Sequence, residues 1–155
     1  IRLSLVGSEM CIRDSPFIVV TITCNTAGGQ PVSMQNLKDV KELGQTYNIP
    51  ILIDSARFAE NAWFIKEREA GYQDKAIIDI IREMYEYADM LTISAKKDGI
   101  VNMGGFIALK DEDVYKSCTT FNILFEGFNT IEGFITYCYY RHLLYSFLNF
   151  RYQFF

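Results

Sequence analysis

FIVVTITCNTAGGQPVSMQNLKDVKELGQTYNIPILID, residues 17–54, decides the fold. Phe17 to Cys24 is a short run rich in β-branched residues, the composition of a strand buried on both faces. The turn-forming NTAGGQP follows, with Pro31 just before a helix start. From Ser33 to Tyr47, Met34, Leu37, Val40, Leu43 and Tyr47 recur at steps of three and four, which is one apolar helix face. Asn48 can close that helix. Ile49 to Ile53 is a second strand, with Pro50 tolerated at its first positions.

Outward from this unit the same alternation continues. DSARFAENAWFIKEREAGYQ, residues 54–73, reads as a long irregular stretch. Asp74 is the expected N-cap of a helix on which Ile77, Ile81, Met84, Tyr85 and Ala88 share a face. Met90 to Ile93 gives a third strand, Gly104-Gly105 starts a fourth (FIALK), and Asp111 is placed to cap a short helix through Cys118. The order predicts a three-layer α/β architecture with a mainly parallel sheet. The fourth strand, reached through a polar loop, can return antiparallel or parallel.

The ends do not fit this pattern. Residues 1–15, IRLSLVGSEMCIRDS, show neither period and no apolar core of a signal peptide, and they resemble translated adaptor sequence. Residues 134–155 are aromatic without a turn-former or a consistent helical stripe, and read as a non-native or frame-shifted tail. The expected domain is therefore 16–133.

Composition narrows the function classes. Half of the 155 residues are hydrophobic and the net charge is −4, which favours neither nucleic acid nor an anionic membrane as partner. Four widely spaced cysteines and a single histidine exclude zinc-site spacing and make a disulfide framework unexpected. No apolar run approaches the ~20 residues of a membrane span. The expected setting is a reducing cytoplasm.

In a parallel α/β sheet, ligands bind outside the carboxyl ends of the strands. That rule brings together three segments distant in sequence: Asn25-Thr26-Ala27-Gly28-Gly29-Gln30, Asp54-Ser55-Ala56-Arg57 and Ser94-Ala95-Lys96-Lys97-Asp98. Read singly, each has an ordinary meaning: a glycine turn, a helix-capping carboxylate, a solvated lysine pair. Together, Asp54, Arg57, Asn25, Ser94 and Lys97 form the set that pyridoxal phosphate (PLP) requires. The cofactor needs a lysine for the imine bond, an acid for the pyridine nitrogen, and donors for the ring oxygen and the phosphate. A lysine with the ordinary pKa of about 10.4 must be depressed or held as the imine to act at neutral pH. In an extended loop Lys96 and Lys97 point opposite ways, which makes only one of them the imine lysine.

VTITCNTAGGQPVSM, ILIDSARFAENAWFIKERE and YADMLTISAKKDGIVNMGGFIALKD closely resemble the aromatic amino-acid β-eliminating lyases, over roughly residues 16–127. The resemblance implies a fragment of the large domain of a PLP-dependent enzyme of the aspartate-aminotransferase fold type (fold type I). Such enzymes are homotetramers that require a monovalent cation such as potassium. It implies Lys97 as the Schiff-base lysine, Asp54 at the pyridine nitrogen, and Arg57 and Asn25 at the ring oxygen. Ser94 falls on the phosphate side, and Asn102 matches a position whose backbone carbonyl holds the cation; Lys96, facing away from Lys97 in an extended loop, is left to the phosphate side or solvent. DSARFAENA with SAKKD leans toward the branch that cleaves L-tryptophan to indole, pyruvate and ammonia. The alternatives are the tyrosine-cleaving branch and another fold-type-I lyase of threonine-aldolase type. The family chain is much longer, and its phosphate-cradling loop, ring-stacking aromatic, cross-subunit tyrosine and substrate-carboxylate arginine have no counterpart here. A fragment without catalysis of its own is the expectation.

Overall fold

The computed structural model describes residues 15–100, 102, 104–126 and 135–139. Five strands, β1 (Ile18–Thr21), β2 (Ile51–Asp54), β3 (Met90–Ser94), β4 (Gly105–Leu109) and β5 (Ile135–Tyr139), form one sheet in the order β1-β2-β3-β4-β5. β1, β2 and β3 are parallel, β4 turns antiparallel to β3, and β5 is parallel to β4. The fourth strand thus takes the antiparallel option. β5 arises from the stretch set apart as a tail, so part of that stretch extends the sheet. Residues 1–14, the bulk of the adaptor-like segment, lie outside the described residues, as do 140–155.

The helices are α1 (Met34–Tyr47), α2 (Phe58–Arg68), α3 (Ile77–Glu86) and α4 (Glu112–Glu126). α1 starts where the sequence predicts, with the Ser33 hydroxyl accepting the Asn36 N–H at 3.1 Å. It ends at Asn48 in the left-handed conformation, φ 54°. Met34 and Leu37 are buried, as is Gly44, whereas Leu43 and Tyr47 stand in solvent.

Two expectations about the helices are corrected. The stretch 54–73 is not irregular, since Phe58, Asn61, Ala62 and Ile65 form the buried face of α2. Asp74 does not cap α3, whose first residue follows Ala76 with no side-chain cap. Asp74 sits instead in an exposed turn whose neighbour Tyr72 is anchored by its hydroxyl to Glu83 of α3 at 2.7 Å.

One core joins α1, α2 and α3 to a single face of the sheet, through Ile51, Ile53, Leu91, Ile93 and Ala108. Right-handed crossovers that step the same way along parallel strands place these three helices on that face. β4 and β5 run the opposite way while the order keeps advancing, so the same handedness sends α4 to the other face. Leu109, which points there, is only 1% exposed yet outside the main core cluster. Three layers result. Opposite α1–α3, Val19 of β1 is 51% exposed, so β1 is not buried on both faces as its composition suggests.

Candidate active site

The register of the three parallel strands sets Thr21, Asp54 and Thr92 side by side in one row. Alternation turns Asp54 away from the core, because Ile51 and Ile53 already face it. Its carboxylate is half-buried, at the end of the middle strand, with no hydrogen-bond partner among the described residues. Next to it Ser55 is fully buried, its N–H donating to the Thr92 carbonyl at 2.8 Å.

The loop after β1 turns sharply. Thr23 has φ 46°, which is strained for a β-branched residue, and Asn25–Ala27 form a single 3-10 turn closed by Gly28 at φ 79°. Asn25 is exposed on this turn. From the β2 side, Arg57 reaches toward it, with Nη1 3.5 Å from the Thr23 carbonyl oxygen and Nε 3.9 Å from Glu60.

The loop after β3 is a compact turn, not the extended segment expected. The Lys97 N–H donates to the Ser94 carbonyl at 3.3 Å and the Ile100 N–H to the Lys97 carbonyl at 3.0 Å. A side chain at Gly99 would collide with the backbone of Ala95, and Ile100 takes φ 54°. Lys96 and Lys97 are both exposed, and the alternation that would separate their ammonium groups does not operate in a turn. Asn102 is exposed just beyond it.

Two residues given no role in the sequence reading tie these loops together. Asn61, 0% exposed, accepts from the Thr23 hydroxyl at 3.1 Å and the Val32 N–H at 2.8 Å, and donates to the Val32 carbonyl at 2.9 Å. Asp98 accepts the Ala59 and Glu60 N–H groups at 2.6 and 3.2 Å. The carboxylate that caps α2 is therefore Asp98, and the capping alternative considered for Asp54 is not realised. A polar residue at 61, on the stripe formed by Phe58, Ala62 and Ile65, was the available signal for Asn61. Asp98 had none, since its partners are in the first turn of α2, far away in sequence.

The edge thus gathers a half-buried carboxylate, two amines, a guanidinium, an amide and the Ser94 hydroxyl, with left-handed backbone at a β-branched residue in two of its three loops. That donor set fits PLP: an anion for a protonated ring nitrogen, an amine for its aldehyde, and donors for oxygen and phosphate. A separate cavity of about 440 Å³ lies at the amino ends of β2 and β3, lined by residues including Lys41, Asn48, Asp89 and Lys110. It contains none of the predicted site residues. Among the described residues no cluster of His, Cys, Asp and Glu could hold a metal ion, and no helix is long and apolar enough to cross a membrane.

Residues 6–150 match the beta-eliminating lyase family. The chain belongs to that family. It is 58% identical over 118 residues to a probable beta-eliminating lyase of Trichomonas vaginalis, which covers 76% of this chain and 26% of that protein. To the tryptophanases of Escherichia coli O9:H4 (strain HS) and Shigella boydii serotype 18 it is 56% identical over 128 residues, 81% of this chain and 27% of each relative. The chain spans about a quarter of the length of the curated relatives it matches.

Proposed function

We propose that this chain supplies the floor of the cofactor site in a PLP-dependent lyase that cleaves L-tryptophan to indole, pyruvate and ammonia. The observation that carries the reading is the row Thr21–Asp54–Thr92 ending beside the Lys97 turn. The identity to tryptophanases supports the choice of substrate. The active form is a cytoplasmic homotetramer with a potassium ion near the Asn102 carbonyl, and residues 16–133 are its native part within this chain.

Bound at this edge, PLP supplies an electron sink for bond breaking at the substrate's α- and β-carbons. Lys97 Nζ would be the amine that holds the cofactor, and when free it would accept the substrate's α-proton. Asp54 keeps a proton on the ring nitrogen. Arg57 and Asn25 fix the ring oxygen, while Ser94 and Lys96 serve the phosphate. Proton transfers by placed groups of this kind contribute about 10²–10⁴-fold each.

Borohydride reduction of the PLP-loaded intact lyase, followed by peptide mapping, tests the assignment. The pyridoxyl label is expected on Lys97, and a label on Lys96 would refute it. Pyruvate release faster from tyrosine than from tryptophan would transfer the chain to the phenol-releasing branch. The 155-residue chain alone is expected to release none from either.

A further inference from the structure

We infer that Asp98 is a positioning residue of this site: its carboxylate clamps the Lys97 turn onto the first turn of α2, and so fixes the Lys97 amine relative to Asp54. The inference rests on the roles proposed above for Lys97 and Asp54.

Hydrogen bonds run both ways across the clamp. The Asp98 carboxylate accepts from Ala59 and Glu60 at 2.6 and 3.2 Å, and the Asp98 N–H donates to the Ala56 carbonyl at 3.4 Å. Ala56, Ala59 and Glu60 all follow closely on Asp54, which ends β2. Asp98 is covalently next to Lys97. The clamp therefore joins the two proposed reactive groups through short, stiff paths.

Its chemistry suits the place. The first N–H groups of a helix have no partner within it and carry partial positive charge, which a carboxylate satisfies. A cap of the common kind comes from the residue just before the helix. Here that residue is Arg57, whose side chain makes no such bond, and the cap comes from a loop 39 residues away from Ala59. A carboxylate from any loop in reach would satisfy these N–H groups. One drawn from the Lys97 turn couples the turn to the strand that carries Asp54.

The turn itself leaves little slack. Gly99 sits against the Ala95 backbone where no side chain fits, and Ile100 is held at φ 54°. With the clamp broken, the Ser94–Lys97 and Lys97–Ile100 bonds keep the turn's shape, while its attachment to α2 is lost. The amine then moves as a body relative to Asp54, and misplacement on the ångström scale is costly for proton transfer.

The test uses the intact PLP-loaded lyase with Asp98→Ala, Asp98→Asn and Asp98→Glu. In the Ala variant the Ala59 and Glu60 amides should exchange about tenfold faster. The pH midpoint of the lysine-bound cofactor's absorbance should shift, and kcat should fall about tenfold with KM little changed. The Asn variant, keeping size and an acceptor oxygen, should recover most of both. Should the Ala variant fail to fold, the Glu variant decides, because it keeps the capping charge but displaces the turn by a methylene. A stable Glu variant with a shifted absorbance profile and lowered kcat supports the clamp. Label on Lys97 with an unchanged profile and kcat, in either the Ala or the Glu variant, overturns it and leaves Asp98 a helix cap. Label on Lys96, or on neither lysine, overturns the reading of Lys97, and the clamp falls with it.

Discussion

Asn61 grips Val32 by both sides of its main chain, accepting the Val32 N–H at 2.8 Å and donating to the Val32 carbonyl at 2.9 Å. One buried amide from α2 thereby substitutes for a strand neighbour and holds the loop that carries Asn25. Asn61→Ala should strand the Thr23 hydroxyl and both Val32 groups, at a cost of about 1–3 kcal/mol for each group left buried and unsatisfied. Urea denaturation of the intact lyase should show the loss. A parallel drop in PLP affinity is expected, because the turn at Asn25–Ala27 loses its anchor.

Gly44 in α1 offers a sharper contrast. On propensity alone, Gly44→Ala should stabilise an exposed helix by up to about 1 kcal/mol. A Cβ here would meet the Ile49 carbonyl oxygen and the Ile51 Cδ1, both at 2.7 Å. Because one obstacle is backbone, the substitution should lower the thermal midpoint instead of raising it.

Asp89 should govern part of the acid limb of stability. Burial by itself would raise its carboxyl, but hydrogen bonds from Lys41 at 2.7 Å and from the Ile51 N–H at 2.9 Å outweigh that, with the charges of Lys41 and Lys110. The net position is below the ordinary carboxylate range. A group depressed in the folded state stabilises above its unfolded pKa, about 3.9, and loses that contribution as pH falls through the folded value. Asp89→Asn should therefore reduce the urea midpoint at pH 7 and flatten its decline below about pH 4.

Tyr72 acts at the other end of the scale. Burial first, then its hydrogen bond to Glu83 and the negative charges of Glu83 and Glu69, push its phenol well above the ordinary tyrosine range. A raised folded pKa means stability that is complete below the unfolded value, near 10, and is withdrawn as pH rises toward the folded one. Spectrophotometric titration of Tyr72→Phe should lose a late-ionising tyrosine, and the variant's stability should decline less above pH 10.

Most of the sheet was legible because its signals are local. β-branched runs mark β1 to β3, and Ser33 and Asn48 bracket α1 with their own side chains. α2 was not legible for the converse reason. Arg57 offers no cap, Trp63 lies exposed amid the apolar residues, and the carboxylate that starts the helix arrives from Asp98. The site residues could be grouped by strand order alone, since consecutive parallel strands must end on one edge. The shape of the Lys97 turn could not, because nothing local announces a left-handed isoleucine at 100.

The change of strand direction between β3 and β4 has a consequence for how such a protein can vary. Asn25, Asp54, Arg57 and the Lys97 turn all open on one side of the molecule, whereas Lys110 and Asp111, which leave β4, open on the other. Insertions directly after Leu109 therefore open away from the Lys97 turn, whereas those just before Ile135 return to its edge, because Ile135 pairs with Gly105 and Gly105 with Ser94. The reversed strand works as a firebreak between the turn that follows Leu109 and the edge that carries Asp54 and the Lys97 turn.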